Sequence, residues 1–585
     1  MKPTFFDSES EALYVNCSLV QLRHNQINHI ININNDQEQE ECRKHLETLY
    51  LVGYNLSYDI GLLNLEPLKI EDLFYASKIA FPLLREFTLD IVAKHCGFNG
   101  YAAIDKSGMQ KAGFIRGAYL SARQKAYAIA DVEALEVIYN HPSIQKVINT
   151  NVAYRLGVIA LMECAVWQKN GIPLLPERVK YYTDKLNADL PALEATLNGM
   201  NPRSPKQVKE YFNGVSATDK ATLTRIVING RIEESVKSQS GRGINNKAMV
   251  FTEEQQRMAE IVLAARGMKN ALSKLAQYHY PKLYGRFNPM GASTSRFTCK
   301  GGDHPQYFNA QNYPRQFKSC FGVTEDSGLI IIAADYATLE IRLAASIMKE
   351  PNMYAALMRG EDIHKTTASL IYDKDISEVD GRERSNSKVA NFGLTYGMGS
   401  NTFIQYAFDL YGIKFSEDEA KMLISKFFTA YPGLKTYHNM VGKEMRSGSY
   451  ICQTALGYKM APKIYADAIN GPTQGTGGEC MRLAIHKLAT LDARALKMIV
   501  NSIHDALYLI VPQDEEAYWS DLLGKAMVLS WLEIMKSSLL HYHDIPMPVD
   551  IMRGWSMGDL EKGFAGGGQA LSVAEMRETQ ARNKK

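Results

Sequence analysis

The run Leu329–Ala334 reads LIIIAA, is apolar at every position, has the length of a strand and ends at Asp335. A continuous apolar run of this length, without polar alternation, predicts a buried strand. Helical periodicity resumes at once over Tyr336–Met348, which sets Asp335 at a strand-to-helix seam. Far along the chain, Met498–Ile503 and Leu507–Val511 are two further strand-length runs, separated only by His504, Asp505 and Ala506. That spacing predicts a tight hairpin with Asp505 at its bend.

Two carboxylates at exposed strand ends suit a pair of Mg²⁺ ions, because a rigid sheet edge holds them close while leaving sites for phosphates and water. Either aspartate alone reads more readily as a turn or capping residue than as a metal ligand. A second acidic set lies near the N-terminus. Asp7 and Glu9 are two apart on an extended segment and point to one side. Asp59 follows Asn55 by one predicted helical turn, and Tyr127 and Asp131 stand four apart on one helix face. Four converging carboxylates repel one another unless cations join them, which favours a second site for two divalent ions.

A chain of 585 residues predicts several domains. Hydrophobic residues at 46% and charged residues at 22% are ordinary for a soluble globular protein, and a net charge of +3 says little about partners. Eight scattered cysteines without a C-x-x-C pair argue against a structural zinc site or a disulfide framework. No secretory signal or run of about 20 apolar residues occurs, so a cytoplasmic protein with no membrane partner is expected, in the host cytoplasm if a phage encodes it.

Residues 1–140 read as an α/β unit, with strands at Lys2–Phe6 and Gln26–Ile33, helices at Arg43–Tyr50 and Leu120–Tyr139, and a junction at Pro142. Long helices follow at Asn151–Lys169, Pro176–Leu197 and Glu253–Tyr278. Between the last two, Ser235–Lys247 is polar and basic without apolar period, either a solvated loop or a basic tip for a nucleic-acid backbone. Ser204 and Pro205 form a helix start, near which Arg203, Lys206 and Lys209 could face duplex phosphates. The stretch after Phe564 is predicted to fray.

Arg384, Lys388 and Phe392 are spaced four apart along one helical face. The cations favour phosphate at a helix start, Phe392 can lie under a base, Gly393 removes bulk beside it, and Tyr396 falls one turn on. A core-packed helix with surface cations explains the aromatics equally, but leaves Gly393 without a reason.

Seven segments in order resemble DNA polymerase family A of the bacterial polymerase I and phage type. DYATLEIRLA at 335–344 and SIHDAL at 502–507 are similar to its two palm motifs, and RSNSKVANFGLTYG at 384–397 to its fingers helix. SRF at 295–297, NAQN at 309–312, DIHKTTA at 362–368 and NGPTQGT at 470–476 support them. The acidic set at the N-terminus resembles a DnaQ-like 3'–5' exonuclease.

The resemblance implies an α/β and α+β multidomain chain, an RNase H-like exonuclease followed by a right-hand polymerase. The implied limits are exonuclease 1–140, linker and palm entry 141–200, thumb 201–285, palm 286–350, fingers 351–440 and palm 441–585. No domain is expected ahead of the exonuclease, hence no 5'–3' flap nuclease. Asp335 and Asp505 would bind two Mg²⁺ ions for nucleotidyl transfer; Asp7, Glu9, Asp59 and Asp131 would bind two divalent ions, and Tyr127 would orient water. Arg384, His364 and Lys388 would contact the incoming dNTP, with Lys388 suited to protonate pyrophosphate. Glu340, tethered to Tyr396, would exclude a ribose 2'-hydroxyl. Arg296 and Gln474 would read the minor-groove edge. Asn309, Gln311 and Asn312 would hold primer-template DNA, and His504 the primer terminus. A monomer acting in DNA replication, with a replisome or processivity partner, completes the expectation.

Three positions depart from the family pattern: Ala337 and Thr338 replace a Ser-Gln pair, and Ala506 replaces a glutamate. A single-subunit RNA polymerase, a DNA-binding protein with an inactive palm, and an exonuclease whose second half only clamps DNA are the alternatives.

Overall fold

The structure is a computed structural model and describes residues 2–10, 17–104, 114–237, 244–301, 304–448 and 450–562. The first sheet has the order β3-β2-β1-β4-β5, with β1 Thr4–Ser10, β2 Cys17–His24, β3 Ile27–Asn32, β4 Tyr50–Gly53 and β5 Lys69–Asp72. β1 pairs antiparallel with β2 and parallel with β4. The strand therefore extends through Asp7 and Glu9 instead of stopping before them, and both keep the alternation expected of an extended segment.

Helix α1, Asp36–Leu46, starts on an Asn35 cap and stops four residues short of the predicted end. Tyr50 instead opens β4, whose four residues are all buried and belong to the sheet core. Helices α2 Ser57–Leu63, α3 Leu73–Ala80 and α4 Ala122–Asn140 cover this sheet; α4 begins with a Ser121–Gln124 capping box. At the junction expected near Pro142, His141 is extended between two helices and Pro142 is the first residue of the second, where its missing N–H is harmless. The core of this unit includes Phe6, Leu51, Val52 and Ile60, and also Met290, Tyr458 and Met460 from far along the chain.

Helix α5, Val152–Trp167, leads to an arm built from α6 Pro176–Ala195, α7 Lys220–Asn229 and α8 Glu253–Leu275. Ser204 accepts from the Gln207 N–H, which bears out its reading as a cap. The arm has its own core of Val208, Phe212, Leu223, Ile226 and Val262. Ser235–Lys247 is not a loop throughout. Strands β6 Arg231–Lys237 and β7 Ile244–Val250 pair antiparallel, and only 238–243 lies outside the described residues. Ladder hydrogen bonds form between backbones, so a polar pair of strands leaves no apolar period to read. The stretch after Phe564 also lies outside the described residues.

Past the short strand β8, Arg286–Asn288, the chain builds a second five-stranded sheet. Its order is β10-β11-β9-β12-β13, with β9 Leu329–Tyr336, β10 Ile499–Ile503, β11 Ala506–Pro512, β12 Val549–Gly554 and β13 Glu561–Lys562. The apolar run is thus the central strand. Tyr336 stays in that strand, and helix α9 opens at Leu339, after Thr338 turns the backbone at φ 56°. Helices α10 Ile363–Tyr372, α11 Gly381–Leu394 and α12 Ser400–Tyr411 pack together, and their buried residues share one core with the second sheet. Helix α14 Glu516–Ile534 packs on the sheet and α13 Tyr465–Leu491 packs on α14, where Ser530 donates to the Cys480 carbonyl; Trp519 and Trp531 are fully buried. Among the described residues no helix is long and apolar enough to cross a membrane.

Candidate active sites

Asp335 lies near the end of β9, opposite Ala506 of β11 on one side and Asp550 of β12 on the other. The hairpin turn is tighter than predicted, because Ile503 pairs directly with Ala506 and leaves only His504 and Asp505 in the bend. His504 takes φ 53° there, and the Tyr336 N–H donates to the Asp505 carbonyl at 3.3 Å. Asp335 and Asp505 therefore come together at one end of the sheet. Burial, then Asp335 and Glu340, push the Asp505 carboxyl up to about 7, while Arg296 opposes the shift. Such a crowded acid pair is a fitting donor set for divalent cations.

Asp550 escaped the sequence reading. Residues directly opposite in an antiparallel pair share a face, so it is a third carboxylate on the Asp335 face. Lys318 was also missed; burial and Arg315 draw its amine down while Asp335 opposes them. Neither position stands out in the local pattern: strand pairing sets Asp550 beside Asp335, and Lys318, in the short 3₁₀ turn Arg315–Cys320, meets it only through the tertiary fold. His504 is pulled below its usual value by burial first and Arg296 next.

Glu340 sits in the first turn of α9, where its carboxylate accepts from the Tyr396 hydroxyl at 2.5 Å and pairs with Arg296. Tyr396 lies beyond the end of α11, so it is not the next turn of that helix. Thr338 donates to the Ala337 carbonyl at 2.7 Å, a local bond at the turn. Ala506 is buried within β11.

Arg384, Lys388 and Phe392 do share α11. Its N-terminus is already closed by an Asp380–Glu383 capping box, with Lys374 paired to Glu383, so the phosphate-favouring groups are side chains farther along. Arg384 donates to Asp362 at 2.8 Å, and Asp362 also accepts from the N–H groups of His364 and Lys365. The His364 imidazole meets the Asn391 amide at 2.9 Å, and burial drives it down to about 4. Its ring lies 5.6 Å from that of Phe392, and Lys388 stands 5.9 Å over Tyr411. Gly393 has its reason within the protein: a Cβ there would meet Phe403 at 3.1 Å and Met398 at 3.2 Å.

Gln311 donates to the Ser502 carbonyl at 3.0 Å, which ties its loop to the hairpin that carries Asp505. Asn309 accepts from the Gln311 N–H, and its carbonyl accepts from the Asn312 N–H. Gln474 is half-buried on α13, whose Gly475 and Gly478 pack against residues 294–296; a Cβ on Gly475 would meet the Thr294 carbonyl at 2.7 Å.

At the N-terminal sheet, ligand atoms of Asp7, Glu9 and Asp131 all lie within 4.8 Å of one another. Burial, followed by Asp59, Asp131 and Glu9, pushes Asp7 well above the usual carboxylate range; Gln21 donates to it at 3.1 Å. Asp59 stands beside the trio, accepts from the Ser8 hydroxyl at 2.6 Å and is pushed up to about 7 by burial. Asn55 is not a turn earlier in the helix; it takes φ 60° ahead of α2. Tyr127 is buried and faces Asp131, whose charge and hydrogen bond raise the phenol after burial. Tyr101, which no pattern in the sequence marked, donates to Asp131 at 2.5 Å.

Residues 177–559 match the family model of DNA polymerase family A. The DNA polymerase I of Aquifex aeolicus is 26% identical over 548 residues, covering 88% of this chain and 91% of that protein. The DNA polymerase I of Deinococcus radiodurans is 31% identical over 275 residues, 44% of this chain and 27% of that protein. In fold, the chain is similar to the POL domain of Pol1 from M. smegmatis, solved in complex with DNA primer-template and dNTP; the TM-score is 0.69 at 16% identity, over 95% and 96% of the two chains. With the family model spanning most of its length, the chain belongs to DNA polymerase family A.

Proposed function

We propose that the chain extends a DNA primer on a template by metal-dependent nucleotidyl transfer and removes misincorporated 3' ends with its N-terminal unit. The observation that carries the reading is the meeting of Asp335 and Asp505 at one sheet end, with the Asp505 carboxyl raised by burial and then by its acidic neighbours. In this reading residues 201–285 are the thumb, 351–440 the fingers, and the second sheet the palm.

Asp335 and Asp505 would hold Mg²⁺, which when bound supplies charge neutralisation at the phosphates and acidifies the attacking 3'-hydroxyl. Arg384, Lys388 and the neutral His364 line one side of the fingers helix and donate to the triphosphate; Arg384 would exchange Asp362 for phosphate as a nucleotide enters. Lys388 would protonate the departing pyrophosphate. Glu340, held by Tyr396 and Arg296, fills the place of a 2'-hydroxyl. Arg296 and Gln474 face the nascent pair, and Gln311 fixes the hairpin that carries His504 and Asp505.

The Asp7, Glu9 and Asp131 trio, whose ligand atoms lie close enough to share a metal ion, is with Asp59 beside it the proposed 3'–5' exonuclease site, which would hold divalent ions. Tyr127 and Tyr101 both hold Asp131 and so orient it. Primer extension on a defined template with Mg²⁺ tests the polymerase. Complementary dNTP incorporation should be seen with the native chain and lost in Asp505→Asn; a folded Asp505→Asn enzyme that extends normally would remove the assignment.

A further inference from the structure

Residues 286–296 run between the two carboxylate sites and are bonded to both. On the N-terminal side, Arg286 donates to the Gly61 carbonyl in α2 at 3.1 Å, the helix that carries Asp59. The Tyr75 hydroxyl of α3 donates to Asn288 at 2.6 Å, and the Asn288 amide donates to Asn55 at 3.3 Å. Lys78, one turn along from Tyr75, reaches the carbonyls of Met290 at 3.2 Å and Ala292 at 3.1 Å.

On the polymerase side, the fully buried Arg482 donates to the carbonyls of Pro289 and Ser295 and to the Ser295 hydroxyl. Ser295, with no exposed surface, is held at φ 63°, a left-handed conformation that a non-glycine residue keeps only where its surroundings fix it. The next residue is Arg296, paired with Glu340. A segment bonded so densely from two sides moves as one piece.

We propose that Lys78 and Tyr75 are positioning residues of the polymerase reaction: by fixing residues 288–292 they set the place of Arg296 against Glu340 and the base pair. The N-terminal unit then contributes to discrimination at the primer terminus even when it excises nothing. Lys78 suits the task because it is 9% exposed and its ammonium donates to backbone carbonyls, so leaving them would strand a charge in the interior. Tyr75 is fully buried and its hydroxyl has a defined acceptor. A bond that only glued two units together would affect melting and leave base-pair discrimination alone.

The inference rests on the proposed role of Arg296, and the test separates the two. The substrates are matched and mismatched primers with a 3'-terminal phosphorothioate linkage, which blocks excision, and full-length protein is used throughout. Lys78→Met and Tyr75→Phe should each raise the ratio of mismatched to matched extension by about three- to tenfold, within the range for residues coupled through a network. The change should fall on kcat for the mismatched end, with KM for dNTP on the matched primer little altered. Arg296→Ala is the reference and should raise the same ratio. If it does so while neither Lys78→Met nor Tyr75→Phe does, the positioning role is overturned and that of Arg296 stands. If none of the three shifts the ratio, the role of Arg296 falls and the proposal with it. Tyr75→Phe removes one oxygen from a buried ring, so it provides the answer if Lys78→Met fails to fold.

Discussion

The Tyr396 hydroxyl donates to the Glu340 carboxylate at 2.5 Å, joining the turn after α11 to the first turn of α9, the helix that follows the central strand β9. Arg296 pairs with the same carboxylate, so Glu340 is held from two directions. Glu340→Ala should narrow the preference for dNTP over NTP by roughly tenfold or more, since an unfilled or unpaired polar contact in a closed site is worth about 1–3 kcal/mol. Competition between one dNTP and its ribonucleotide on a defined template measures it. A ratio that stays put in an active enzyme would rule out the gate.

Asp59 belongs to the N-terminal acidic set, and its hydrogen bond to Ser8 keeps it beside Asp7 within that unit. Asp59→Ala should therefore abolish 3'-end degradation of single-stranded DNA and leave primer extension largely intact. Parallel assays on one preparation decide this. Equal loss of both activities in a folded protein would mean that the two acidic clusters do not act separately.

Much of this arrangement was legible because the decisive residues sit where local pattern changes. Asp335 ends an apolar run, Asp505 fills a hairpin bend, and Asp7 and Glu9 alternate along a strand. What remained hidden depends on pairing between distant segments. Asp550 faces Asp335 only because β12 pairs with β9, and Tyr101 reaches Asp131 across 30 residues of chain. Gly393 shows the converse: the substrate-side reading was plausible, but Phe403 and Met398 claim that space. The β6–β7 hairpin escaped because backbone pairing imposes no apolar period on a polar pair of strands.

Glu479 offers a test of stability against pH away from the metal-binding residues. It is fully buried on α13, accepts from the Thr454 hydroxyl and the Leu456 N–H, and burial raises it to about 7 although Arg482 pulls the other way. Between about pH 4.5 and 7 the folded chain holds a proton there that the unfolded chain has lost, so this group makes stability fall as pH rises through that window. In Glu479→Gln the amide can donate to Thr454 while its carbonyl accepts from Leu456, and nothing titrates. The variant should lose less stability than the native chain between pH 5 and 8, by on the order of 2 kcal/mol. Denaturant midpoints at several pH values measure the difference; parallel curves for the two proteins would contradict the shift.

Phe392 lies half-buried on α11 with its ring 5.6 Å from His364, on the helix that also carries Arg384 and Lys388. A phenylalanine there offers stacking area and no hydroxyl. A normal dNTP brings its own 3'-hydroxyl to satisfy the polar surroundings of its phosphates, whereas a dideoxynucleotide leaves that place empty. The native enzyme should therefore discriminate strongly against chain terminators, because an unmade hydrogen bond in a closed site costs about 1–3 kcal/mol. Phe392→Tyr would supply the missing oxygen from the protein and should raise dideoxynucleotide use relative to dNTP by roughly tenfold or more, at about 1.4 kcal/mol per factor of ten. Use of ordinary dNTPs should change little, since the ring still stacks. Because the variant must gain a defined activity, misfolding cannot imitate success. An active Phe392→Tyr enzyme with an unchanged terminator-to-dNTP ratio would show that this ring does not face the nucleotide, and Arg384 and Lys388 would lose their placement with it.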